Sequence, residues 1–147
     1  MKILNSIFML SVVILSNFYG CKSKIVLPSQ YVGDYFYIGS GGGFAGLEKT
    51  FAVLDNGNVF EKQGDNEFKL LGTMEETTNK QIFIALENSG LANIKENNPG
   101  NTYKFIEFNV KKLSTNRIVW TDKNKNSEIL DLWYSNVMTL INNLKSN

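Results

Sequence analysis

The chain has 147 residues, with 15 basic and 14 acidic side chains, two prolines, one cysteine and no histidine. That length supports one domain with a real core and leaves too little for a comfortable second. A nearly neutral chain without a basic stripe carries no electrostatic footprint for nucleic acid, and the lack of histidine removes the commonest general base and the commonest metal ligand.

Taken in chain order, Lys2 gives a positive start, Ile7-Phe8-Met9-Leu10-Ser11-Val12-Val13-Ile14-Leu15 is an apolar run, and Gly20-Cys21 closes it. A charged start, a short apolar stretch and a small residue before the cut describe a secretory signal. The run falls well short of the ~20 residues a spanning helix needs. The placement of Cys21 resembles the bacterial lipobox, in which the thiol is acylated and becomes the mature N-terminus; Phe18 and Tyr19 stand where the usual pattern has Leu and a small residue. The expected organisation is a lipoprotein signal peptide over 1–20, a lipidated tether over 21–30 and a single α+β domain over 31–147.

Lys2 is the only charged residue up to Cys21, so the remainder has 14 basic and 14 acidic side chains. Membrane attachment would then rest on covalent lipid, and one acyl chain holds only marginally, so stable anchoring takes more than one. With Cys21 spent on lipid, no thiol is left for a disulfide or a thiolate metal site, and the fold must hold by packing alone. No cofactor is expected beyond that lipid.

Residues 22–30 read as a tether, with Pro28 opposing regular structure. The aromatic and β-branched stretch 31–38 reads as a strand, followed by the glycine-rich connection Gly39-Ser40-Gly41-Gly42-Gly43-Phe44-Ala45-Gly46 and a second strand over 47–54. Asp55-Asn56-Gly57-Asn58 is a hairpin signal, because Asn-Gly tolerates the positive φ of a tight turn. Strands over 59–63 and 68–71 flank the turn Gly64-Asp65-Asn66. Thr73 and Glu76 have capping-box spacing and predict a helix over 75–89, with Ile82, Ala85 and Leu86 on its buried face and Gly90 past its end. Strands over 103–111, where Ile106, Phe108 and Val110 alternate with Phe105, Glu107 and Asn109, and over 118–120 come next. Asn126 or Ser127 then caps a last helix whose stripe is Ile129/Leu130, Trp133, Val137, Leu140/Ile141 and Leu144. The order ββββ-α-ββ-α predicts an α+β fold, an antiparallel sheet with two helices packed on one face.

Gly41-Gly42-Gly43-Phe44-Ala45-Gly46 formally matches a dinucleotide-binding fingerprint, but a strand follows it where that motif needs a helix. Two readings remain for Gly41, Gly42, Gly43 and Gly46: a bulged hairpin connection, or a backbone-rich surface that a partner approaches closely with Phe44 as apolar anchor. The carboxylates show no calcium-loop clustering. Glu107, between Phe105 and Phe108, is either a solvent-facing strand residue or an acid of raised pKa. Tyr35 and Tyr37 share one strand face with Tyr31, and Tyr103 shares one with Phe105, so a sheet whose aliphatic side is covered by helices would carry an aromatic contact patch opposite, unless loops, the glycine-rich one included, partly bury both faces.

The stretches Ile38-Gly39-Ser40-Gly41-Gly42-Gly43-Phe44-Ala45-Gly46, Leu54-Asp55-Asn56-Gly57-Asn58-Val59-Phe60 and Asn98-Pro99-Gly100-Asn101-Thr102-Tyr103-Lys104-Phe105-Ile106-Glu107 together resemble small lipoproteins of the Bacteroidota. The resemblance spans most of the chain after Cys21. It implies a cell-envelope lipoprotein and supplies no catalytic residues; Lys22-Ser23-Lys24, in place of acidic residues after the cysteine, implies a periplasm-facing position. The leading expectation is a non-enzymatic outer-membrane lipoprotein, an accessory or interaction subunit of an envelope protein complex. The alternatives are a periplasmic module binding glycan, peptidoglycan or a hydrolase through the same aromatics, and a hydrolase built on a carboxylate pair that the sequence does not name.

Overall fold

The structure, a computed structural model, describes residues 25–145; the expected signal peptide and Cys21 lie outside them. Six strands form one antiparallel sheet: β1 (Tyr35–Gly42), β2 (Lys49–Leu54), β3 (Asn58–Gln63), β4 (Lys69–Thr73), β5 (Thr102–Asn109) and β6 (Asn116–Trp120). Helix α1 (Glu76–Asn88) separates β4 from β5, and α2 (Ser127–Lys145) follows β6. The spatial order β4-β3-β2-β1-β5-β6 places β1 inside the sheet, between β2 and β5. The chain is therefore the α+β fold its element order predicts.

Both helices pack on the same face. In the register of β1 with its neighbours, Phe36 lies opposite Val53 and Phe108, and Ile38 opposite Phe51 and Ile106; all are buried with Trp120, Leu130, Val137 and Ile141 in one core. Phe36 joins the layers: its ring meets Phe83 of α1 at 5.5 Å and Trp133 of α2 at 5.4 Å, both edge-on. At ~1.5–3 kcal/mol for each large apolar side chain fully buried, this layer is the main source of stability. Trp120 belongs to it too, and its indole Nε1 donates to Asp131 of α2 at 2.9 Å, so the burial leaves no orphan donor.

Local details depart from the sequence expectations for identifiable reasons. Glu75, not Thr73, caps α1, because its carboxylate accepts from the backbone N–H groups of Thr77 and Thr78 while Thr73 stays in β4. On α1 the buried set is Asn79, Ile82, Phe83 and Leu86, and Ala85 is exposed. At the β2–β3 hairpin only Gly57 takes positive φ; Gly57 N–H bonds Leu54 C=O at 3.0 Å, which is a three-residue loop and not the two-residue Asn-Gly turn. Asn126 holds the N-cap position of α2, its carbonyl accepting from Leu130 N–H at 3.1 Å, while its side chain reaches Glu96.

The largest differences lie around β1. It begins at Tyr35, not Tyr31, and Val32 is 89% exposed instead of facing the core. It also runs on to Gly42, well into the expected glycine-rich connection, because β5 pairs with it through Gly42↔Thr102. Pro28–Gln30 forms a 3-10 turn with Pro28 buried, so regular structure starts inside the expected tether.

Candidate functional site

The face opposite the helices collects the residues that the sequence proposes as a contact surface. Alternation along β1 and β5 puts Tyr35, Tyr37, Tyr103 and Phe105 there together, as expected, with Gly39 lying opposite Phe105 and Gly41 opposite Tyr103. They do not form an open aromatic patch. Ala52, Leu54 and Phe60 are completely buried on this side, and Tyr31, Tyr35, Tyr37 and Phe68 pack around them as a second, smaller core. Tyr37 stacks on Phe68 with centroids 5.8 Å apart, and the Tyr35 ring lies 5.2 Å from Tyr37. Burial first, then the adjoining Tyr35 and Glu107, push the Tyr37 phenol up to about 12.

Phe105 is 0% exposed, which removes it from any contact surface. Its ring fills the space over Gly39, where an added Cβ would stand 2.8 Å from it, and the Tyr103 ring does the same over Gly41. The expectation that Phe105 binds a partner is thus corrected: glycines in β1 leave a groove, and aromatics on β5 fill it. Above Phe105 sits the Arg117 guanidinium, 4.1 Å from the ring centroid. Arg117 is held by Glu48 at 2.6 Å and Glu107 at 2.9 Å, and the Tyr103 hydroxyl donates to Glu48 at 2.8 Å. Burial, then that bond to Glu48, raises the Tyr103 pKa above its ordinary value. Glu107 is thus a partly exposed strand residue, as the solvent-facing reading has it, and it is ion-paired with Arg117.

Between this network and the Tyr37–Phe68 stack lies a depression of about 190 Å³, lined by Tyr37, Glu48, Lys62, Phe68, Phe105 and Arg117. Sequence reading missed Glu48, Arg117 and Lys62. Only the strand register, which sets Glu107 opposite Arg117, brings them together. Glu48 and Glu107 do converge on one side chain, and that side chain is a cation that neutralises part of their charge.

The glycine-rich hairpin behaves differently. Gly41 and Gly42 belong to β1, and the turn itself is 43–46. Gly42 and Gly43 have φ of 95° and 72°, and Gly43 N–H bonds Asn101 C=O at 2.6 Å, so the turn is braced against the loop before β5. A Cβ on Gly42 would meet the Asn101 carbonyl. At the tip Phe44 is fully exposed, at 111% of its reference area, and Leu47 is 51% exposed. Asn101 lies in the Asn98–Glu107 stretch that carries the resemblance, which assigned it no role, and Leu47 belongs to no motif.

Among the described residues, no group of three or more His, Cys, Asp or Glu is placed to hold a metal ion. Among the same residues, no helix is long and apolar enough to cross a membrane. Compared with protein-family models, with curated proteins and with solved structures, the chain gave no match.

Proposed function

We propose that the chain is a non-enzymatic, lipid-anchored outer-membrane protein that faces the periplasm and binds another envelope protein through its β1–β2 hairpin. The supporting observation is Phe44: a large apolar ring, wholly uncovered, at the tip of a turn whose base is fixed by the Gly43–Asn101 hydrogen bond. A single exposed hydrophobic residue is ordinary on a protein surface. Here Gly43 before the ring and Gly46 two residues after it allow close backbone approach, and the half-exposed Leu47 follows. Burying one such ring in a partner's pocket contributes about 1.5–3 kcal/mol. The anchor at Cys21 rests on the sequence pattern of the first twenty-one residues and on the resemblance to Bacteroidota lipoproteins.

The test is co-purification from detergent-solubilised native envelopes, wild type beside F44A, with the N-terminus read by mass spectrometry. A defined partner retained by wild type and lost from F44A supports the reading. Recovery of both as lone monomers sinks it.

The depression beside Arg117 favours a second reading, a module that binds a small glycan or peptidoglycan fragment against Tyr37 and Phe68. Titration calorimetry with peptidoglycan fragments on wild type and Y37A separates the two; equal heats from both proteins would discard it.

A further inference from the structure

Ile25, Val26 and Leu27 are consecutive, apolar and 54%, 37% and 37% exposed. The chain directly after them is fixed. Pro28 is buried, Tyr31 donates its hydroxyl to Asp55, Asp34 N–H bonds the same carboxylate at 3.0 Å, and Asp55 N–H bonds Asp34 C=O at 2.9 Å. Asp34 in turn accepts from Lys111 N–H at 3.1 Å, so the entry into β1 is tied to both neighbouring strands. Cys21 stands four residues before Ile25. An extended chain covers at most ~3.6 Å per residue, which puts an acyl anchor at Cys21 within about 14 Å of Ile25.

We infer that Ile25, Val26 and Leu27 seat in the boundary between headgroups and acyl chains of the bilayer, holding the domain against the membrane instead of letting it swing on a free tether. The inference rests on the proposed acylation of Cys21. Lipid supplies the affinity; the apolar run supplies the orientation. Charge supplies little of it: Lys22 and Lys24 are the basic residues between the anchor and Ile25, short of a polybasic cluster, and the chain beyond Cys21 carries as many acidic as basic side chains. Isolated exposed hydrophobic residues need no explanation, but three in succession, next to an anchor and joined to a fixed backbone, meet lipid at little further entropic cost. Phe44 lies beyond the far end of β1, an eight-residue strand that spans about 26 Å at ~3.3 Å per residue. Docking through Ile25–Leu27 therefore leaves the entry into β1 near the membrane, while Phe44 sits a strand's length from that entry.

Acylation occupies the thiol of Cys21, the only cysteine, so V26C and F44C each present one free thiol for an environment-sensitive dye. Both full-length proteins are purified from membranes, checked for acylation by mass spectrometry, and reconstituted into vesicles of phosphatidylethanolamine and phosphatidylglycerol. The expected result is a dye at position 26 that is several-fold less accessible to aqueous iodide than one at 44, and quenched by a lipid-borne nitroxide. Equal iodide access at 26 and 44, with Cys21 acylated, overturns the docking and leaves the anchor standing. Shielding from iodide without nitroxide quenching would place a protein or a second copy of this chain over the run, and also overturns it. An unmodified Cys21 overturns both this inference and the anchoring that it rests on.

Discussion

Gly39 and Phe105 face each other across β1 and β5, and the phenyl ring stands where a side chain on the glycine would have to go. Each residue makes sense only with the other. Phe105→Ala removes a fully buried ring and bares the glycine backbone, and a loss of about 3–5 kcal/mol is expected. Gly39→Ala forces a methyl group against both the ring and the Lys49 carbonyl, costing about 1–3 kcal/mol or more. Urea unfolding followed by tryptophan fluorescence measures both. The double variant is expected to lose less than the sum, since removing the ring relieves one of the two clashes.

Arg117 covers that ring and pairs with two carboxylates, all about one-third exposed. Exposed ion pairs are worth at most ~1 kcal/mol each and a cation over a ring a similar amount. Arg117→Ala is therefore expected to cost about 1–2 kcal/mol, falling as salt rises. Arg117→Lys keeps the charge but not the planar fork, and is expected to recover less than half of the loss. Unfolding midpoints at low and high sodium chloride distinguish these outcomes.

Tyr31 and Tyr37 contribute most to the sensitivity of the fold to alkali. Burial, then the hydrogen bond to Asp55, raises Tyr31 to about 12, and burial beside Tyr35 does the same for Tyr37. A tyrosine in the unfolded chain ionises near ~10. The folded values are the higher ones, so their contribution is complete below pH ~10 and drains away as pH rises toward about 12. Stability measured across that range should fall more steeply in wild type than in Y37F.

Asp131 gives the opposite dependence. Burial pushes its carboxyl up, but hydrogen bonds from Lys104 and the Trp120 indole outweigh that and hold its pKa below the ordinary value. Such a group contributes above the unfolded pKa of ~4 and loses its contribution as pH falls through the lower folded value. Asp131→Asn is expected to be less stable at neutral pH and to show a flatter decline below ~4. Acid titrations followed by near-ultraviolet circular dichroism test this.

Phe44 separates fold from function. It touches no core, so F44A should unfold within about 0.5 kcal/mol of wild type while losing the partner proposed for it. Gly42→Ala should instead unfold earlier, since its positive φ and the Asn101 carbonyl both oppose a side chain. Binding lost together with stability in F44A would place Phe44 in the fold and not at an interface.

The sequence by itself determined the order of elements, the aliphatic faces of β1 and β5, the stripe of α2 and the antiparallel two-layer class. These follow from periods of two and 3.6 residues, which are local properties of the backbone. Tertiary structure alone decided the rest. That β1 lies between β2 and β5 depends on pairings between distant segments, and with it came the aromatics over Gly39 and Gly41, the extension of β1 to Gly42, and the meeting of Glu48, Glu107 and Arg117. The face that alternation marks as aromatic was legible, and its partial burial stood as an open alternative; that Phe68, Arg117 and Tyr31 would be the residues closing it was not, because a covering contact between remote residues leaves no period in the chain.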